Sequence, residues 1–353
     1  MHSLLDKKLQ MENVLNISAH KYGNYHKYYT FHPSSARISF FSSGDVFKKL
    51  WDAQGQPNVF SIVDIGCNEG NLSMDVLEQA HKEIPSHVTC TLLGIDLDSS
   101  LIDLAVAKYV SADNATPIAF APINFMDSEA SKAFLDKYLI DLSATLKKEV
   151  VGFSMVCLFS ITMWIHLNFG DDGLVDFLAR SADLLTPLGS LVVEPQPWKC
   201  YKAADKRCRK LGITRPLHFS ALQIRDIERE ITGMLLQTNT ESVSTEAAAT
   251  SSEKAADTAV ASVEAKKVYT QIQAGIKCHW DLGKEGWGRT IYLFHRSADL
   301  QYNQPVPVIV EKNVTAESEN VSEPDVQPSA DESASEVNKA EEGIHASKKS
   351  KLN

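Results

Sequence analysis

Between residues 59 and 194, short apolar runs alternate with longer amphipathic segments, and this alternation limits the fold more than any other feature of the 353-residue chain. Parallel strands cannot be joined by a tight hairpin. Each needs a crossover, usually a helix, and helices on both faces make the strands apolar along their whole length. The pattern predicts strands at 59–65, 88–95, 117–123, 150–158 and 190–193, with helices at 71–82, 99–110, 129–146 and 171–185 between them. Ser99 and Ser100 supply a cap for the second helix, and Thr186-Pro187-Leu188-Gly189 stops the fourth. Beyond the sheet, 198–212 reads as a basic helix and 219–236 as another. Segments 267–277 and 290–296 read as a closing antiparallel pair, with 281–288, which holds three glycines, as its turn.

One folded domain is expected over 21–303, preceded by a flexible N-terminus at 1–20 and interrupted by a disordered acidic insertion at 238–265. A disordered acidic tail is expected at 304–353. The insertion is rich in Ala, Ser, Thr and Glu without an aromatic residue, so it buries too little apolar surface to offset its ordering entropy. Insertion and tail carry −4 and −5 of the net charge of −10, leaving the rest near neutral at −1. The acidic total therefore does not exclude a polyanionic partner for the core. Six scattered cysteines without a C-x-x-C pair argue against zinc or a disulfide framework, so no metal is expected and a reducing, cytoplasmic location is. The longest uncharged run, 150–165, is short for a bilayer span, so no membrane partner is expected. The chain is expected to act as a monomer.

The first strand runs into Asp64-Ile65-Gly66-Cys67-Asn68-Glu69-Gly70. Glycines between a strand and a helix let the backbone turn tightly and approach a ligand, and the helix N-terminus offers free N–H groups; packing alone also produces such turns. The second strand ends in Gly94-Ile95-Asp96-Leu97-Asp98. An acid there accepts hydrogen bonds from both hydroxyls of a ribose; a helix cap is its other use, one that Ser99 or Ser100 already fills. The third ends in Asn124-Phe125-Met126-Asp127, a polar group for the edge of an adenine and an aromatic for its face, although Phe125 alone reads equally as a core residue. A dinucleotide turn carries G-x-G-x-x-G; here Asn68 replaces the middle glycine and Glu69 would repel a pyrophosphate. A cofactor with an amino-acid end and a sulfonium charge tolerates that acid. The turn therefore selects S-adenosylmethionine and, with the closing antiparallel pair, an α/β, Rossmann-like class I methyltransferase fold.

Four stretches carry a more specific resemblance: Gly23-Asn24-Tyr25-His26-Lys27-Tyr28-Tyr29, the turn at 64–70, SITMWIHLNFGDDGL at 160–174, and VEPQPWKCY at 193–201. In them the chain resembles the bicoid-interacting family of RNA 5′-phosphate methyltransferases, over roughly 21–236 and 267–296, and within it the cytoplasmic, monophosphate-directed branch. The resemblance implies that residues 21–37 fold over the cofactor and the RNA end, with Tyr28 and Lys27 facing the phosphate and Tyr29 and Arg37 contacting the cofactor. It places Gly66, Cys67, Asn68, Gly70, Asp96, Leu97, Asn124, Phe125 and Phe159 around S-adenosylmethionine, and Glu194 with Tyr28, Lys27 and His166 at the reaction. Gln196 and Trp198 fall on the RNA side. His32 stands where triphosphate-capping relatives have an arginine, which suits a less charged acceptor. The resemblance suggests histidine tRNA and microRNA precursors as substrates.

An ionised phosphate oxygen needs orientation and charge compensation more than a general base. His166 accordingly reads as a base, as a phosphate donor or as a structural donor holding its loop. Lys199, Lys202, Lys206 and Arg209 share one face of the 198–212 helix at i+3 and i+4 spacing. At the C-terminal rim of a sheet they suit an RNA backbone; otherwise they are solvated surface. Trp198 stacks on a terminal base or fills the core beneath its loop. The expected function is methyl transfer from S-adenosylmethionine to the 5′-monophosphate of a small RNA. The alternatives are a triphosphate-capping methyltransferase, a methyltransferase for a small metabolite or protein, and a non-catalytic RNA-binding chaperone.

Overall fold

A computed structural model describes residues 19–42, 44–111, 117–215, 217–235, 276–285 and 289–296. The acidic insertion, the acidic tail, the N-terminus up to residue 18 and most of the expected strand at 267–277 lie outside the described residues.

Seven strands form one sheet in the order β3-β2-β1-β4-β5-β7-β6. They are β1 (Val59–Ile65), β2 (Thr89–Asp96), β3 (Ile118–Pro122), β4 (Phe153–Phe159), β5 (Leu185–Glu194), β6 (Ile276–Glu285) and β7 (Arg289–Arg296). β1 to β5 pair in parallel, whereas β7 pairs antiparallel with both β5 and β6. Every residue of β1 and β4 is buried, as a central parallel strand requires. The strand order reverses between β1 and β4, which opens a crevice at their C-terminal ends where ligands of such sheets bind.

Helices cover both faces. One core joins α1 (Ser35–Ser42), α2 (Val46–Ala53), α3 (Asn71–Glu83) and α4 (Ser99–Tyr109) to the sheet through Phe41, Phe47, Leu72 and Ile102. The other joins α5 (Ser128–Leu146), α6 (Thr162–Asp183), α7 (Trp198–Lys210) and α8 (Ile227–Leu235) through Leu135, Phe177, Tyr201 and Ile231. Each such buried side chain contributes about 1.5–3 kcal/mol of transfer free energy. Among the described residues no helix is long and apolar enough to cross a membrane, and no group of three or more His, Cys, Asp or Glu could hold a metal ion.

Several expected boundaries change. Asp98, not Ser99 or Ser100, caps α4, its side chain accepting from the Ser100 N–H. β4 starts at Phe153 rather than 150. β5 starts at Leu185, so the Thr-Pro-Leu-Gly stop lies inside it; Phe153 pairs with Leu185 and Met155 with Ser190, and the extra residues, Pro187 among them, bulge out of the ladder. The helix expected from 171 follows a kink at Gly170, whose φ of 78° and ψ of −173° are not helical, and an unexpected helical stretch from Thr162 precedes that kink. The helix expected over 219–236 resolves into a 3₁₀ turn, Phe219–Ala221, and α8. β6 continues through Asp281–Glu285, part of the expected turn, with a register shift between Asp281 and Lys284, while β7 lies within a residue of expectation.

Candidate active site

The 64–70 turn crosses the rim at the switch point. Gly66 and Cys67 donate their N–H groups to the Ile95 carbonyl at 2.8 and 3.1 Å, tying the turn to the end of β2. Gly66 has φ +83°, and a Cβ there would fall 2.6 Å from Ile161 Cδ1. Glycine is thus demanded by the chain's own conformation and packing as well as by any ligand. Asn68 holds the left-handed φ of 53° that Asn tolerates best after Gly.

Asp96 closes β2 beneath this turn. Its Oδ2 accepts from Asn68 N–H and its Oδ1 from Asp98 N–H, both at 2.9 Å; burial raises its pKa against those two bonds. Asp64 is also buried. Desolvation pushes its pKa up to about 7 despite a hydrogen bond from Ser73, with Asp96 adding to the rise. Its Oδ1 has no hydrogen-bond partner among the described residues.

A strap from Gly23 to Tyr28 is tied across the turn by side chains. Asn24 Nδ2 donates to Asp98 Oδ2 at 2.6 Å, Asn68 Nδ2 to the Tyr25 carbonyl at 3.0 Å, and Lys27 N–H to Glu69 Oε1 at 2.9 Å. His26 Nε2 lies 3.3 Å from Ser100 Oγ. Glu69, read in the sequence as an acid that repels pyrophosphate, fastens the strap where Lys27 is left-handed at φ 57°.

The remaining cofactor candidates divide. Leu97 stands exposed beside Asp96, and the Asn124 side chain folds back to accept from Met126 N–H at 3.1 Å. Phe125 is a core aromatic instead of an open stacking face: Phe177 meets it edge-on at 5.5 Å and the Arg180 guanidinium lies 4.7 Å from its centroid. Phe159 is buried edge-on to Phe41, and Cys67 is buried in the same core. The Tyr29 hydroxyl is raised well above its ordinary range by burial and by Asp64, with Arg37 opposing. Gly70, at φ +76°, packs against the Phe120 ring. An unpartnered buried carboxylate oxygen on Asp64 and the Asp96 carboxylate at the strand end fit the amino end and ribose of S-adenosylmethionine, so these residues, with the 66–70 backbone, are the ones that would hold it.

Beside the turn lies a second cluster. Arg37, only 3% exposed, pairs with Glu194, 1% exposed, at 3.2 Å. Its Nη2 also donates to Tyr28 Oη at 2.7 Å. Ser160 Oγ donates to Glu194 Oε2 at 2.8 Å and accepts from Arg289 Nη1 at 2.7 Å. Burial works against the Arg37 charge, but Glu194 and the tyrosines outweigh it and raise its pKa. The His32 ring lies 5.0 Å from Tyr28. Burial and the charges of Arg37 and Arg289 lower its pKa to about 4, so it is neutral at pH 7. Sequence reading missed Ser160 and Arg289. The first opens the SITMWIHLN stretch and so had a signal; the second sits in the last strand with no local motif.

Burial corrects two assignments and ring stacking a third. His166 is fully buried, Nδ1 lying 3.1 Å from Tyr201 Oη and Nε2 2.6 Å from Asp171 Oδ1. Both nitrogens are used inside the chain, so it holds the α6 kink against α7 and cannot serve as base or phosphate donor. Gln196, 1% exposed, accepts from Met163 N–H at 3.0 Å and Thr162 Oγ1 at 3.2 Å and donates to the Ser160 carbonyl; it braces the β4 and β5 ends and does not reach RNA. Trp198 stacks on Tyr201 and Phe219, both at 4.9 Å, with the Arg225 guanidinium 4.4 Å from its centroid, so it fills space beneath the loop. Lys27 is exposed, as are Lys199, Lys202, Lys206 and Arg209, the last ion-paired with Asp205 at 2.8 Å.

Residues 153–262 match the family described as Bicoid-interacting protein 3 (Bin3). A pre-miRNA 5′-monophosphate methyltransferase of Xenopus laevis is 36% identical over 224 residues, 61% of this chain and 82% of that protein. The human RNA 5′-monophosphate methyltransferase is 35% identical over 232 residues, 64% of this chain and 75% of the relative. A U6 snRNA methylphosphate capping enzyme, Amus, of Drosophila melanogaster is 33% identical over 213 residues, 57% of this chain and 63% of that one.

Proposed function

The chain belongs to the Bin3 family of methyltransferases, and from that premise we propose that it methylates the 5′-monophosphate of small RNAs. When bound, S-adenosylmethionine supplies an electrophilic methyl on a sulfonium sulfur, and transfer to an anionic phosphate oxygen leaves the electron pair of the broken bond on sulfur. The chain's own work is orientation and charge compensation. Asp96, Asp64 and the 66–70 backbone hold the donor. The strap, fastened to that same turn, presents Tyr28 and Lys27 to the acceptor. Arg37 and Glu194 neutralise each other in the wall behind them.

The observation that carries this reading is the Tyr28–Arg37–Ser160–Arg289 cluster abutting the donor turn, a cationic hydroxyl-lined site that calls for no general base. The exposed lysines of α7 suit the RNA backbone beyond it. Histidine tRNA and microRNA precursors are the substrates proposed. We also place the activity in the cytoplasm as a monomer, which the free thiols of Cys67, Cys90, Cys157, Cys200 and Cys208 suit. A triphosphate-capping activity is the second reading, favoured by the Drosophila relative; the neutral His32 favours the first. Labelled-methyl transfer to one RNA prepared with hydroxyl, monophosphate or triphosphate ends decides between them. Label on the monophosphate alone is expected, and label on the triphosphate alone moves the chain to the capping reading.

A further inference from the structure

Two guanidinium groups meet at one hydroxyl. Arg289 opens β7 and donates from Nη1 to Ser160 Oγ at 2.7 Å, and Arg37 Nη2 reaches the same oxygen at 3.4 Å. The hydroxyl in turn donates to Glu194 Oε2 at 2.8 Å. Three distant parts of the chain therefore converge: the N-terminal segment with Tyr28, His32 and Arg37, the ends of β4 and β5 with Ser160 and Glu194, and the start of β7. Arg37 is only 3% exposed and pairs with Glu194, and Arg289 is half-buried in the same cluster. Its charge is felt at His32, which stands against Tyr28. The hydrogen bond to Ser160 fixes the plane of the Arg289 guanidinium, a fork whose geometry suits phosphate oxygens.

We propose that Arg289 is a phosphate-recognition residue, aimed by Ser160, that acts with Tyr28 on a terminal phosphate monoester. This rests on the reading of the site as a phosphate methyltransferase and names the group on β7 that takes the acceptor. A plain structural tether between β7 and β4 is the alternative, and selectivity for the RNA end separates the two.

The full chain is compared with Arg289→Ala and Arg289→Lys on one hairpin RNA bearing a 5′-monophosphate or a 5′-hydroxyl. Methyl transfer and direct binding are both measured, with S-adenosylmethionine binding and melting temperature alongside. Arg289→Ala is expected to raise the KM for the phosphorylated RNA about 10- to 100-fold, the loss typical of a charge-assisted hydrogen bond. It should erase the binding preference for the phosphate end and leave cofactor affinity within about twofold. Arg289→Lys should recover part of the loss, keeping the charge without the fork. A wild-type preference for the phosphate end in Arg289→Ala overturns the proposal. So does an equal fall in cofactor affinity and melting temperature, which assigns Arg289 to the fold. If the wild-type chain binds the phosphate end but never methylates it, the enzymatic reading fails, while loss of that preference in Arg289→Ala still upholds the assignment.

Discussion

Asp64 and Arg37 are buried charges with opposite solutions. Asp64 is held largely by burial, and its pKa of about 7 lies above the ordinary 3.8. A raised carboxyl pKa means the fold favours the protonated form, so its contribution to stability is complete below pH 3.8 and is lost as pH rises through 7. Asp64→Asn should therefore melt higher than the wild type by a margin that grows from pH 4 to pH 8, in thermal scans without cofactor. The same variant should bind S-adenosylmethionine about tenfold more weakly, through the lost anionic acceptor. Arg37 is held by its partner. Arg37→Ala strands Glu194 in the wall of the site and should cost about 3–5 kcal/mol in denaturant unfolding, with Arg37→Ala/Glu194→Gln recovering much of it. At this scale the sequence is legible only where a motif is local. Asp64 and the 66–70 turn stand together in the chain and Asp96 closes the next strand, 28 residues beyond Asn68, whereas Arg289 and Ser160 are 129 residues apart and meet only through the sheet order. The resemblance sets Gln196, Trp198 and His166 at the reaction or the RNA, with a structural reading also open for His166 and Trp198; the burial of Gln196 and His166 and the stacking of Trp198, invisible in a single sequence, give them to the fold.

Elements were easier to read than residues. Continuous apolar runs betray parallel strands, so β1, β2 and their helices fall within a residue or two of expectation. Errors concentrate where backbone irregularity absorbs a breaker. The Thr-Pro-Leu-Gly segment follows the helix end at Asp183 but is taken into β5 as a bulge, and the expected helix after Gly170 is preceded by a further helical stretch from Thr162. Helix α7 carries its lysines outward as its spacing implied, with Tyr201, Ala204 and Cys208 turned to the core. Lys202→Glu with Lys206→Glu should weaken RNA binding and flatten the dependence of log K on log salt by roughly two units, one per phosphate contact. Titrations from low to high salt would show it; an unchanged slope assigns that face to solvent. Cofactor affinity should not move, because neither lysine shares a partner with the donor turn.

The whole molecule carries its negative charge in two acidic stretches, residues 238–265 and 304–353, around a nearly neutral remainder. Long-range repulsion from such stretches slows the approach of a polyanion and is screened beyond about 10 Å at 0.1 M salt. A chain lacking 304–353 should therefore associate with RNA several-fold faster at low ionic strength and at an unchanged rate in high salt, as stopped-flow mixing would reveal. The strap has a different reach. Asn68 grips both the Asp96 carboxylate and the Tyr25 carbonyl, and Glu69 grips Lys27. On the proposed function, whatever loosens these few hydrogen bonds loosens the hold on the spent donor and on the methylated end together.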